Sequence, residues 1–107
     1  MTVIIPHHKT QSEVVGLIDK AADNLFANGV GNSVTLVDPK KEWTDSIMNF
    51  SVTGRMGFIK VPVTGTVGVD DTNVTVTCEL PPMVKNFLGE AKVQSGIEQK
   101  IAQIVSA

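Results

Sequence analysis

The chain has 107 residues, enough for one hydrophobic core but not for two. Hydrophobic residues make up 42% of it and aromatics only 5%, which predicts a folded domain with a mostly aliphatic core rather than a disordered segment. Nine basic and eleven acidic residues leave a net charge of −2, with Arg55 the only arginine, which argues against nucleic acid as a partner and against a polybasic membrane anchor.

A lone cysteine, Cys78, leaves no internal disulfide to form. The opening residues, Met1 to Pro6, lack the basic start and length of a signal peptide. No apolar run reaches the roughly 20 residues that span a bilayer. These features predict a cytoplasmic protein that does not cross a membrane.

Thr2 to Ile5 is a β-branched run stopped by Pro6 and reads as a first strand at a sheet edge. Thr10 and Glu13 have the spacing of a capping box. The helix they open carries Val14, Val15, Leu17, Ile18, Ala21, Ala22, Leu25 and Phe26 on one face, with Asp19, Lys20 and Asp23 opposite, and Gly29 ends it. Gly31-Asn32 is a turn, Ser33 to Val37 a second strand, and Asp38 to Glu42 a polar loop holding Pro39.

From Ile47 to Thr53 the residues alternate, Met48, Phe50 and Val52 on one face and Asn49, Ser51 and Thr53 on the other. Gly54 to Gly57 predicts a hairpin connection. Phe58 to Val69 is the longest strand; Pro62, Gly65 and Gly68 within it predict a bulge, a bend or an edge position. Asp70 to Asn73 turns the chain into a last strand, with Val74, Val76, Cys78 and Leu80 on one face. Pro82 suits the first turn of a helix. An apolar stripe follows from Met83 through Phe87 and Ile97 to Val105, interrupted at Gly89 and Gly96, with a kink or break expected near Gly96.

The predicted order is β-α-β-β-β-β-α in a single domain, 1–107. One apolar face per strand implies a curved antiparallel sheet of about five strands, covered on that face by two helices: a two-layer α+β fold.

Four pieces of this pattern resemble the polyhydroxyalkanoic acid system, or granule-region, family of small bacterial proteins. They are Ile4-Ile5-Pro6-His7; Trp43 with Asp45, Ile47 and Phe50-Ser51; Val63 to Val69 followed by a tight turn; and Leu80-Pro81-Pro82 with Phe87 beyond. The resemblance implies a setting in bacterial polyester storage and brings no catalytic residues with it. The helix-over-sheet order is also similar to a reduced START-like, helix-grip fold, by analogy of fold alone.

Residues that could carry chemistry are few. His7 and His8 are adjacent, so in an extended segment they face opposite ways and do not share a metal. Cys78 is in register with buried valines, the place of a small hydrophobe rather than a reactive thiol. There is no nucleophile elbow, phosphate loop or dinucleotide fingerprint, so neither catalytic residues nor a cofactor are assigned. Glu42 and Asp45 flank Trp43 and, with His7, form the one polar set able to do acid–base work if they converge.

The leading expectation is therefore a non-enzymatic binding or accessory protein. Its partner would be a hydrophobic polymer surface, an acyl ligand or another protein, met through Trp43, Phe58, Met83 and Phe87 as wall or contact residues. The alternatives are a small enzyme acting on an acyl or hydroxyacyl compound through His7 with Glu42 or Asp45, and a homodimer that pairs an edge strand or the last helix.

Overall fold

The alternation through the middle of the chain builds one antiparallel sheet, seen here in a computed structural model. The structure describes residues 1–28, 35–79, 81–82 and 90–106. Its elements are β1 (Thr2–Pro6), α1 (Gln11–Asn28), β2 (Thr35–Thr44), β3 (Ile47–Met56), β4 (Ile59–Val69), β5 (Asn73–Glu79) and α2 (Glu90–Ser106). The strands lie in the order β1-β5-β4-β3-β2, with α1 and α2 packed on the sheet, so the expected α+β architecture and element order are both present.

Strict pairing carries one side-chain row across all five strands. Val3 pairs with Val76, Val76 with Val67, Val67 with Met48 and Met48 with Trp43. The first four are buried and the last packs against the core. The next row on the other face is Thr2, Thr77, Thr66, Asn49 and Glu42, all polar. A two-residue period thus sorts the sheet into an apolar inner face and a mostly polar outer one, on which Ile4 and Ile47 are exposed. From α1, Val14, Ile18 and Ala22 enter the same core, and Val105 does so from α2.

The helix start is as expected. The Glu13 N–H donates to Thr10 Oγ1 at 3.2 Å, and the Thr10 hydroxyl donates to Glu13 Oε1 at 3.1 Å. Gln11 Nε2 also donates to the Val69 carbonyl at 2.8 Å, tying the first turn of α1 to the end of β4.

Three local expectations are corrected. Residues 38–42 are not a loop: β2 runs through them to Thr44. The register shifts by one residue between Val37 and Lys40, where Asp38 is left-handed (φ 53°), and this bulge takes up Pro39 on an edge strand. The β3–β4 turn is not Gly54–Gly57 but Gly57-Phe58, because Gly54 and Arg55 still pair with Val61 and Lys60 and only Gly57 takes φ 63°. α2 continues unbroken through Gly96, whose open side meets nothing within 4 Å. Gly29, Gly31-Asn32, Leu80 and Gly89 lie outside the described residues.

β4 pairs with β3 in unbroken register from Ile59 to Gly68, so the bulge expected at Pro62, Gly65 or Gly68 does not occur, and each residue is accommodated within the ladder. The Val69 N–H donates to the Ser46 carbonyl at 2.9 Å, so alternation makes Thr53 and Pro62 a non-hydrogen-bonded pair. The missing N–H of Pro62 therefore points away from β3, on the side where, among the described residues, β5 pairing covers Thr64–Val69. At Gly65 a Cβ would strike the Thr77 carbonyl oxygen and lie 2.8 Å from Phe50 Cζ. The Phe50 ring fills the space its cross-strand partner leaves empty.

The glycines make a direct test of this packing. Gly65→Ala should destabilise the protein by about 1–3 kcal/mol, since backbone and an aromatic ring must both move. Gly16→Ala and Gly96→Ala, at open positions inside helices, should each stabilise it by about 0.5–1 kcal/mol. Urea unfolding followed by fluorescence of Trp43, the only tryptophan, measures all three.

Candidate functional site

Among the described residues, surface depressions and a cluster of charged side chains under the sheet are the places where a site could form. The cluster grows from the inner face of β2. Lys41 and Trp43 are two residues apart on one strand and so point the same way, toward α1. The Lys41 ammonium donates to Asp19 Oδ1 at 2.6 Å and to the Asp19 carbonyl at 3.1 Å, and lies 2.7 Å from Asp23 Oδ1. The Trp43 indole N–H donates to the same Asp19 oxygen at 2.8 Å. One carboxylate thereby joins a helix to an edge strand.

Hydrogen bonds from Lys41 and then Trp43 hold the Asp19 carboxyl below the usual carboxylate range. Partial burial pulls Lys41 down, but hydrogen bonds to Asp19 and Asp23 outweigh it and the net shift is upward. Asp19 appears in the sequence as a solvent-side helix residue and Lys41 as part of a loop. The available signal was the i, i+4 pair Asp19 and Asp23 on one helix edge, matched to an inward lysine two residues before the lone tryptophan.

His7 is buried at 5% exposure and fully engaged by main chain. The Lys9 N–H donates to Nδ1 at 3.2 Å, so Nε2 carries the proton and donates to the Asp70 carbonyl at 2.8 Å. The His7 N–H also bonds the Thr72 carbonyl at 2.8 Å. This residue clamps the β4–β5 turn, which is itself closed by Asp70 Oδ1 accepting from the Thr72 and Asn73 N–H groups at 2.8 and 2.6 Å. Those bonds hold the Asp70 carboxyl below its ordinary range.

The strand order does not bring the polar set together. His7 follows β1 and Glu42 is on β2, at opposite edges of the sheet. Four strand spacings separate them, on the order of 15–20 Å. Glu42 is exposed on the outer face, and Asp45 is exposed in the β2–β3 turn with φ 54°. The hydrogen bonds of His7 among the described residues involve no carboxylate.

The apolar set is also divided. Trp43 packs against the core beside Met48 at one end of β3. Phe58 stands past the other end, roughly 30 Å along the strand, and is 98% exposed. Met83 and Phe87 lie outside the described residues. Cys78 is buried, and burial pushes its thiol up. Among the described residues no group of three or more His, Cys, Asp or Glu is placed to hold a metal ion, and no helix is long and apolar enough to cross a membrane.

The depressions are shallow and open. One of about 340 Å³ lies on the outer face between Asn49, Thr64, Thr66, Thr77 and Glu79. The other, about 290 Å³, runs between β1 and α2, lined by Ile4, Ile5, Pro6, Glu98, Ala102 and Val105. Comparison with family models, with curated proteins and with solved structures found no match to this chain.

Two carboxylates with lowered pKa values give the protein an acid limit. Each is stabilised in its charged form by folding, so that contribution is complete above the unfolded value near 4 and fades as pH falls through the folded one. Asp19→Asn should cost about 1 kcal/mol at neutral pH, a figure kept small because the carboxylate is 43% exposed and screened. The stability difference between pH 7 and pH 3, read by Trp43 fluorescence in urea, should shrink in this variant. An unchanged difference would mean that Asp19 is not coupled to folding.

Proposed function

We propose that this chain is a non-catalytic binding or accessory protein whose working contact is with an apolar surface, and that the hydrophobic polymer of a bacterial polyester store is the first candidate. The single observation that carries this reading is Phe58, 98% exposed at the tip of a two-residue turn. A phenylalanine left in water forgoes about 1.5–3 kcal/mol of burial, and nothing in the turn requires that residue type. The resemblance of Ile4 to His7, Trp43 to Ser51 and Val63 to Val69 to granule-region proteins supplies the setting, with the cytoplasm as its compartment. A gripped helix would equally suit an acyl ligand between helix and sheet; among the described residues the depressions are open and shallow, a shape that suits contact at a surface.

The protein should co-sediment with polyhydroxybutyrate particles and not with cellulose. Phe58→Ser should weaken that binding about tenfold or more while leaving stability within about 0.5 kcal/mol, because the side chain touches little. Equal retention on both materials, or indifference to Phe58→Ser, would sink the reading.

The free edge of β1 favours a second reading, a homodimer. Met1 exchanges hydrogen bonds with Cys78, and His7 bonds Thr72, so the odd-numbered residues turn toward β5. Thr2, Ile4 and Pro6 turn their main-chain groups outward, and the Ile4 side chain is 60% exposed. Antiparallel pairing about Ile4 would join two sheets through the N–H groups of Thr2 and Ile4. Sedimentation velocity over a wide concentration range should then show a dimer that Ile4→Pro abolishes; a monomer throughout removes this reading.

A further inference from the structure

We infer that the tip of the β3–β4 hairpin is a reversible anchor for an anionic lipid surface. Phe58 enters the acyl region, and Arg55 and Lys60 meet the head groups. The inference rests on the reading that Phe58 is the working contact, and it names the chemistry around that contact.

Three observations independent of Phe58 point to an anionic partner. First, Arg55 and Lys60 are direct cross-strand partners, both exposed, three residues before and two after Phe58. Alternation from the Ser46–Val69 bond makes theirs a non-hydrogen-bonded pair, the closer of the two antiparallel spacings. Like charges directly opposite repel, and an anion held between them relieves that repulsion. Second, the hairpin holds no counter-charge. No acidic residue occurs from Ser46 to Val69, and residues 29–34, which precede the Thr35 partner of Arg55, carry no charge. Neither cation forms an ion pair among the described residues, whereas Lys41 on the neighbouring strand has two. Third, the whole chain is acidic at −2, so the basic tip is opposite in sign to the molecule that carries it. An anionic surface repels the body and attracts the tip, which orients the approach.

The apolar part completes the device. Gly57, with φ 63°, makes the turn tight, so Phe58 is the outermost side chain and meets a surface ahead of the two cations behind it. Two cations fall short of a polybasic anchor, and one phenylalanine alone gives marginal insertion. Membrane attachment generally takes two signals, and here they are one aromatic ring and one pair of charges. Each charge contributes about fivefold in partitioning near an anionic surface. Burial of the ring contributes roughly ten- to hundredfold.

The test uses the full chain with two vesicle preparations, phosphatidylcholine alone and an equimolar mixture with phosphatidylserine, beside the polyester particles. Binding by flotation should be about tenfold or more stronger on the mixed vesicles and should fall to the phosphatidylcholine level at high salt. The double variant Arg55→Gln/Lys60→Gln should bring the two vesicle types together, and Phe58→Ser should lose binding to both. Equal binding to both vesicle types, unaffected by the double variant, overturns the inference and leaves the apolar-surface reading standing. Binding to soluble polyphosphate that survives Phe58→Ser also overturns it, in favour of a dissolved polyanion. Binding to neither vesicle while polyester particles still retain the protein overturns the lipid assignment alone. Failure on all three surfaces removes the proposed function with it.

Discussion

Everything in this domain hangs on the register of one row of side chains. Val3, Val76, Val67, Met48 and Trp43 come from five strands and line up only if every pairing is in step. A slip of one residue in any ladder would turn that strand's apolar set outward and bring threonines under the helices. The fixed row then determines what stands beside it. Phe50 lands on Gly65, and Lys41 lands where α1 presents Asp19 and Asp23. The polar tie at the sheet edge is thus a consequence of the apolar register rather than a separate design.

That tie solves a problem of edge strands. Among the described residues β2 has one hydrogen-bonded neighbour, β3, and its inner face lies at the margin of the core. A large apolar residue at position 41 would be poorly covered there, whereas a lysine can lay its stem along the core and place its ammonium against two carboxylates. Trp43 extends the same logic. Its ring contributes apolar area to the core while its one polar atom, the indole nitrogen, reaches Asp19.

Much of this was legible in the chain. Strict alternation identified the inner face of β3, β4 and β5, and the threonine–glutamate spacing located the start of α1, because both signals are local. Where the reading failed, a tertiary partner decided the outcome. Asp38 to Glu42 has the composition of a loop, a proline among charged residues, but the bulge at Asp38 absorbs the proline and β3 supplies the ladder. Gly54 and Gly57 looked equally able to turn the chain; pairing with Val61 keeps Gly54 extended and leaves the turn to Gly57. The separation of His7 from Glu42 could not be read at all, because strand order places the first and second strands at opposite edges. Phe58 was visible as an apolar residue but not as an exposed one, since its residue type favours a strand and its position in the turn depends on where the hairpin closes.

Both free edges of the sheet carry a proline, Pro6 on β1 and Pro39 on β2, and β2 adds a left-handed residue at Asp38. A five-stranded sheet with two uninterrupted edges could add copies of itself indefinitely, which is the route to a fibril. Here β2 offers an incoming strand a kinked and incomplete template, and β1 offers only the short run from Thr2 to Ile4. Pro39, which disguises β2 as a loop in the sequence, and Pro6, which marks the end of β1, each remove a main-chain donor from an edge where another strand would pair.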